Sequence, residues 1–359
     1  MPNFYPGPSK VYPQIADFMQ EAYQSGILSI NHRSDAFMEI CRQTMASLHE
    51  KLNIPTDYQI VFTSSATECW EIIAQSLIQS NSLHFYNGDF GKKWAEYTQK
   101  LCPKAQITTQ AFDYNSSINL SQMPDNESLK CELCCITHNE TSNGTAISAA
   151  QMLEIRQKFP QSLIAYDVTS SLGGVMLDYS LGDIWFASVQ KCLGLPAGLA
   201  VLILSPQAVK KAYQINERAH YNSLAFILDN FAKYQTPYTP NVLGIYLLWR
   251  VMQIVPNIHQ VAETIVQRAK LYENLFSTSS PLQLLVKDYA LKSYTVITIS
   301  ASSEVINEVK EKALKQNIIL GNGYGAWKNT SFRVANFPAI LEDEIEQLQD
   351  FFKKILHFI

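Results

Sequence analysis

Leu163-Ile-Ala-Tyr-Asp167 and Ile184-Trp-Phe-Ala-Ser-Val-Gln-Lys191 follow one plan: a short apolar run that ends on a charged side chain. A run of that length bounded by turn residues reads as a strand buried on both faces, the kind found in parallel sheets. Such sheets bind ligands at the carboxyl ends of their strands, which is where Asp167 and Lys191 fall. Working outward, residues 58–62, 133–137 and 199–204 have the same apolar character. Between them lie segments of helical period, one with Trp70, Ile73, Ala74 and Leu77 on one face, another with Met152, Ile155 and Phe159. Short strands alternating with helices predict an α/β fold, with a mostly parallel central sheet flanked by helices.

The pattern changes at residue 241. Helical stretches over residues 243–254 and 261–276 precede a strand at 294–299 and a helix at 305–316. The chain closes on an amphipathic helix, with Leu341, Ile345, Leu348, Phe352 and Ile355 near a period of about 3.6 residues. These elements predict a smaller α+β C-terminal domain at 241–359 beside a large domain at 13–240. Residues 1–12 are expected to form an arm that packs with the smaller one. No internal repeat or low-complexity segment interrupts this organisation.

With 359 residues, 47% of them hydrophobic and 17% charged, the chain can bury substantial cores and does not have the composition of disorder. Its 28 Lys and Arg against 32 Asp and Glu leave a net charge of −4. That balance offers no broad attraction to nucleic acid or to an anionic membrane. The start, Met1-Pro-Asn-Phe-Tyr-Pro-Gly-Pro8, has neither the basic residues nor the apolar run of a signal peptide. The most apolar stretch, residues 195–204, is too short for a bilayer span of about 20 residues. A cytoplasmic protein is expected. Seven cysteines, an odd number, fit reduced thiols better than a disulfide framework. Cys131, Cys134 and Cys135 sit in an apolar run with no second pair at zinc-finger spacing, so they read as core thiols and no metal is expected.

Four polar segments fall at strand ends: Asp167, Gln190-Lys191, Ser65-Ala-Thr67 and His138-Asn-Glu-Thr141. Brought together at one sheet edge, they would form a single pocket. Lys191, followed by Cys192-Leu-Gly-Leu-Pro-Ala-Gly198, lies in weakly charged surroundings. A desolvated amine loses basicity and becomes a nucleophile able to form a Schiff base. A carboxylate such as Asp167 can hold a pyridine nitrogen protonated, and the start of the helix after Ser65 offers backbone N–H groups to a phosphate. Phe90, in Asn87-Gly-Asp-Phe-Gly91, suits a place against an aromatic ring. Each piece alone has an ordinary use: a solvated charge, a helix cap, a core filler. Their order and spacing carry the reading.

Asp167-Val-Thr-Ser-Ser-Leu-Gly-Gly174, Ser188-Val-Gln-Lys191 and Leu195-Pro-Ala-Gly-Leu199 together resemble the core signature of class-V aminotransferases, a branch of the fold-type I pyridoxal-phosphate enzymes. The resemblance extends through Tyr5-Pro-Gly-Pro8, His32-Arg-Ser34, Asn139-Glu-Thr141, Gln235-Thr-Pro237 and Phe332-Arg333. It implies pyridoxal 5'-phosphate as cofactor, Lys191 as Schiff-base lysine and proton shuttle, and Asp167 on the pyridine nitrogen. Phe90 would stack on the ring, where many relatives carry Trp. Thr141 and Thr169 would contact the ring's hydroxyl side, and Ala66, Thr67 and Gln190 the phosphate. The resemblance also implies a homodimer in which Gln235 and Thr236 reach the phosphate of the neighbouring subunit. Arg333 would clamp the substrate α-carboxylate with a planar guanidinium.

Within the class, Leu52-Asn-Ile-Pro-Thr-Asp-Tyr58 and Ser29-Ile-Asn-His-Arg33 resemble the phosphoserine branch. There His32 and Arg33 would bind the substrate's phosphate, and 2-oxoglutarate would be the partner keto acid, as serine biosynthesis requires. The alternative is the branch acting on alanine or serine with glyoxylate or pyruvate, which shares His-Arg-Ser and resembles Glu140-Thr-Ser-Asn-Gly144. Phosphoserine enzymes carry a second His-Arg pair shortly before the carboxylate Arg. Here that region reads Gly321-Asn-Gly-Tyr-Gly-Ala-Trp-Lys328, which leaves Lys328 as the cation expected to stand in. Cysteine desulfurases share the fold but place His before the Schiff-base Lys and need a later catalytic Cys. This chain has Gln190 there and no Cys after Cys192. Asp167, Lys191 and Arg333 together argue against a scaffold that only binds.

Overall fold

The computed structural model describes residues 1–123, 131–277 and 281–356. Strand β1 (Asn3–Phe4) opens the chain, followed by β2 (Gln59–Thr63), β3 (Asn81–Tyr86), β4 (Gln106–Ala111) and β5 (Leu133–Thr137). A short hairpin, β6 (Asn139–Glu140) and β7 (Thr145–Ala146), precedes β8 (Leu163–Asp167), β9 (Ile184–Ser188) and β10 (Ala200–Leu204). The central sheet has the order β2-β10-β9-β8-β5-β3-β4. All its pairings are parallel except the two made by β10. Because β10 runs against both β2 and β9, β2 points the same way as the others. The carboxyl ends of β2, β3, β4, β5, β8 and β9 therefore share one edge, as the α/β reading requires.

The four strands β5, β8, β9 and β10 are buried at every residue, which is why they read from sequence as unbroken apolar runs. Strand β4, at the sheet's edge, has the sequence Gln-Ile-Thr-Thr-Gln-Ala and is half-buried or exposed throughout. An edge strand needs no apolar run, and neither it nor β3 stood out in the sequence. Serines start several helices. Ser34 accepts from the Phe37 N–H (3.3 Å), Ser65 from Glu68 (3.1 Å) and Ser148 from Gln151 (3.3 Å). Each cap contributes about 1 kcal/mol by satisfying a first-turn donor.

A second sheet joins β1 to β11 (Gln283–Leu284), β12 (Val296–Ser300), β13 (Ile319–Asn322) and β14 (Ser331–Ala335), in the order β1-β13-β14-β12-β11. The N-terminal arm enters it by backbone pairing, with Asn3 opposite Ile319 and Phe4 opposite Leu320. Phe4 is fully buried in the second core with Phe276, Phe332 and Phe352. Helix Val242–Ile254 packs on helix Asp35–Leu52, and its Ile245, Leu248 and Val251 belong to the first core, around the central sheet. Helix Ile258–Ser277 then bridges the two cores, with Ile258 in the first and Ala269, Tyr272 and Phe276 in the second. Leu341, expected on the apolar face of the last helix, is instead its N-cap and 41% exposed. Ile345, Leu348, Phe352 and Ile355 are buried there.

Cys131, Cys134 and Cys135 are buried in the first core, as their apolar setting predicts. Among the described residues no helix is long and apolar enough to cross a membrane.

Candidate active site

Register brings the strand tips together. Thr137 pairs with Asp167 across β5 and β8, and Asp167 with Phe186 across β8 and β9. Lys191 lies just past β9 in a tight turn, closed by the Gly194 N–H donating to the Lys191 carbonyl at 2.9 Å. A cavity of about 610 Å³ opens at this edge, within the range of cofactor sites. Ala66, Thr67, Phe90, Thr141, Asp167, Thr169, Gln190, Lys191 and Arg333, all expected from sequence, line it.

The Lys191 Nζ donates to Thr141 Oγ1 at 2.7 Å and to Ser170 Oγ at 2.9 Å, and those two hydroxyls lie 2.5 Å apart. Burial pushes the amine from its ordinary pKa of 10.5 down to about 8; the Asp167 carboxylate opposes the drop and the Arg333 guanidinium adds to it. Asp167 accepts from the Trp70 indole N–H at 3.3 Å and from the Thr169 backbone N–H at 3.0 Å. Burial raises its pKa, while the Thr169 backbone N–H and the Lys191 charge pull it back. A carboxylate held this deep calls for a cationic partner, which a protonated ring nitrogen supplies.

Arg333, on β14, is 4% exposed and donates from Nε to the Asn322 carbonyl (2.7 Å) and from Nη1 to the Thr141 carbonyl (2.8 Å). Its guanidinium carbon lies 5.4 Å from the centroid of the Tyr324 ring. Tyr324 in turn stacks on Phe90, with centroids 5.3 Å apart and planes at 25°. Phe90 sits in the first turn of helix Asp89–Leu101. That turn is tied down by buried Glu140, which accepts from the Gly91 N–H (3.2 Å), the Ser142 N–H (3.0 Å) and the Ser142 hydroxyl (2.7 Å). The N-terminal arm forms another wall. Ser9 N–H donates to the Gln190 carbonyl (3.0 Å), and a Cβ on Gly7 (φ 147°) would come within 2.9 Å of Lys191 Cε.

Among the described residues, four cavity-lining side chains carry buried polar atoms without a hydrogen-bond partner: Thr137 Oγ1, Asn139 Oδ1, Thr169 Oγ1 and Gln190 Oε1. Buried polar atoms are normally paired, so these four point to a polar ligand that completes them. Helix Ala66–Leu77 begins at the same cavity, and its Ala66 N–H already donates to Ser188 Oγ at 2.7 Å. An amine, a carboxylate, an aromatic plate and a helix start around one cavity fit pyridoxal 5'-phosphate.

His32, Arg33, Gln235 and Thr236 do not line this cavity. Arg33 Nη1 donates to Gln235 Oε1 at 3.5 Å, and Thr236 Oγ1 donates to the Tyr238 carbonyl at 2.6 Å beside a separate depression that includes Thr63, Ser64 and Gly198. Within one chain these four stay apart from Lys191. Lys328 is exposed and also outside the cavity, whereas Lys93 and Lys100 line it. Sequence reasoning missed Lys93, Ser170, Ser188 and Tyr324, and it read Trp70 only as core. Their roles depend on side-chain direction rather than on a strand tip, so spacing gave no signal for them.

Residues 3–327 match the model of a family described as aminotransferase class-V. The chain is 26% identical over 352 residues to a phosphoserine aminotransferase of Rhodococcus opacus (strain B4), covering 95% of this chain and 91% of that protein. It is 27% identical over 356 residues to a phosphoserine aminotransferase of Corynebacterium glutamicum (strain R), covering 95% and 91%. Among solved structures, a phosphoserine aminotransferase from Cytophaga hutchinsonii superposes with a TM-score of 0.91 at 31% identity, over 98% of each chain. An alanine–glyoxylate aminotransferase from Nostoc sp. shares the fold with a TM-score of 0.82 at 18% identity, over 99% of this chain and 96% of that one.

Proposed function

The chain belongs to the class-V aminotransferases, pyridoxal-phosphate-dependent transaminases, and on that footing we propose that it moves an amino group between O-phosphoserine and 2-oxoglutarate, the transamination step of serine biosynthesis. The observation that carries the reading is one cavity lined together by the Lys191 amine, the Asp167 carboxylate and the Arg333 guanidinium.

When bound there, pyridoxal phosphate supplies an electron sink for the charge that develops at the substrate α-carbon. The chain's own residues do the rest. Lys191, held by Thr141 and Ser170 and made less basic by burial, takes the α-proton and returns it. Asp167, fixed by Trp70 and Thr169, holds a proton on the ring nitrogen. Thr169 and Gln190 offer their unpaired oxygens to the cofactor's polar edge, and Ala66 and Thr67 present the helix start to its phosphate. Arg333 orients the α-carboxylate, its fork already aligned by two carbonyls. Phe90 and Tyr324 exclude water from one side.

The phosphoserine assignment is supported by relatives of that name matched along nearly the full chain. His32, Arg33, Gln235 and Thr236 are part of the same proposal: in a homodimer they reach the neighbour's cavity, Arg33 and His32 toward the substrate phosphate. A large cofactor-binding unit, a smaller C-terminal unit and a cytoplasmic location complete it. Steady-state assays decide the matter. Glutamate with phosphohydroxypyruvate should turn over far faster than alanine or serine with glyoxylate; the reverse order would assign the chain to the other branch.

A further inference from the structure

Tyr324 has two cations beside it. Arg333 Cζ lies 5.4 Å from its ring centroid, and Lys93 Nζ lies 5.2 Å from the same centroid while donating to the phenol oxygen at 2.8 Å. Arg333 and Lys93 both line the cavity beside this one aromatic ring, whereas Lys100, which also lines it, lies 4.4 Å from the Tyr97 centroid. Lys93 stands one helical turn after Phe90, on the helix Asp89–Leu101, and its ammonium is also 5.8 Å from the Phe90 centroid. The aromatic plate and the second cation are thus placed by the same helix turn, the one that Glu140 fixes.

The charge on Lys93 is available. Its hydrogen-bond partner is a neutral phenol, and among the described residues no carboxylate forms a salt bridge with it. Glu96, which lines the cavity along with Asp167, pairs with Lys92 at 3.9 Å. An ammonium has three donors, so with one given to Tyr324 two remain. The loop at residues 321–328 supplies no cation to the cavity, only Tyr324.

We propose that Lys93, positioned by Tyr324, is a specificity residue that binds the distal anionic group of the amino-acid substrate, while Arg333 holds its α-carboxylate. This rests on the transaminase reading above and names the substrate class it takes: amino and keto acids with a second anion on the side chain. Lys suits the task for a chemical reason. A two-substrate cycle between O-phosphoserine and 2-oxoglutarate must accept a tetrahedral phosphate and a planar carboxylate at one place. A flexible point charge meets both shapes, whereas a planar fork favours matched bidentate geometry.

The test compares holoenzymes carrying Lys93→Gln, Lys93→Arg and Tyr324→Phe with the wild type. Half-reactions with O-phosphoserine, L-glutamate and L-alanine are followed by cofactor absorbance, and binding of glutarate, a dianion with no amino group, by calorimetry. Lys93→Gln should lower the kcat/KM ratio of O-phosphoserine to alanine by about 10- to 100-fold, the value of a charge-assisted hydrogen bond, mainly through KM. Glutarate should weaken by a similar factor, Lys93→Arg should restore most of both, and Tyr324→Phe should shift both by about 3-fold in the same direction. Ratios unchanged within about 3-fold, or equal losses for all three donors, would overturn the assignment of Lys93 while leaving the transaminase reading intact. A wild type that uses alanine but neither dianionic donor would overturn both the assignment of Lys93 and the phosphoserine reading.

Discussion

Replacing Lys191 by Met should stabilise the cofactor-free protein near neutral pH, by an amount that shrinks as the pH rises. In the folded chain the amine titrates at about 8 against an ordinary 10.5. Keeping it protonated in the fold at pH 7 therefore costs about 3 kcal/mol, since one pKa unit corresponds to about 1.4 kcal/mol. Below pH 8 folded and unfolded chains both carry the charge, and the whole penalty is present. Between 8 and 10.5 the folded amine is neutral while the unfolded one still binds a proton, so stability rises with pH across that window. By pH 9.5 the remaining penalty is about 1 kcal/mol.

Methionine has similar length and no charge to desolvate. It gives up the bonds from Nζ to Thr141 and Ser170, but those hydroxyls lie 2.5 Å apart and keep each other as partners. That loss offsets about 1 kcal/mol, leaving an expected gain of about 1–3 kcal/mol at pH 7. Urea unfolding of both cofactor-free proteins, at equal protomer concentration and at pH 7 and 9.5, measures it. A variant no more stable than wild type at pH 7, or a gap that fails to narrow at pH 9.5, would refute the account of Lys191 as a buried, strained cation.

Three further outcomes are expected. Arg333→Gln should lower kcat/KM for every amino donor by about 100-fold, because the α-carboxylate loses a charge-assisted clamp; steady-state kinetics showing losses confined to one donor would remove Arg333 from that role. Gly7→Ala should weaken cofactor binding by about 10-fold in an absorbance titration, since its Cβ would meet Lys191 Cε at 2.9 Å on a backbone at φ 147°; unchanged binding would mean that the arm yields there. Arg33→Ala should raise KM for O-phosphoserine about 10-fold more than for L-alanine; equal increases would show that Arg33 does not reach the substrate phosphate.

The main architecture was legible because burial writes itself into composition. Strands β5, β8 and β9 are covered on both faces, so their residues had to be apolar, and the polar residue after each run marked the sheet's ligand edge. Asp167 and Lys191 were found that way. Strands β13 and β14 were not anticipated, since Ile-Leu-Gly-Asn and Ser-Phe-Arg-Val-Ala give no clean alternation. Arg333 is buried in β14 for its chemistry, and Gly321, whose Cβ would meet the Arg333 carbonyl at 2.7 Å, answers to close packing.

The case of Lys93 and Lys328 shows where such reading stops. The resemblance to phosphoserine enzymes, which carry a His-Arg pair shortly before the carboxylate Arg, points to the loop at residues 321–328 for a second cation, and Lys328 is the one its sequence offers. Proximity in sequence is a poor guide in a loop, where each residue's direction is set by its own backbone; Lys328 points to solvent. Lys93 is 240 residues from Arg333 along the chain, yet helix geometry puts it one turn from Phe90 and therefore on the cavity. Once Phe90 is placed, the residue three positions on is constrained too. The loop contributes what a loop can supply reliably, one ring stacked on Phe90 and bonded to Lys93. On the proposal above, recognition of the second anion would draw on the rigid helix as well as on Arg33, with the loop as the helix's support.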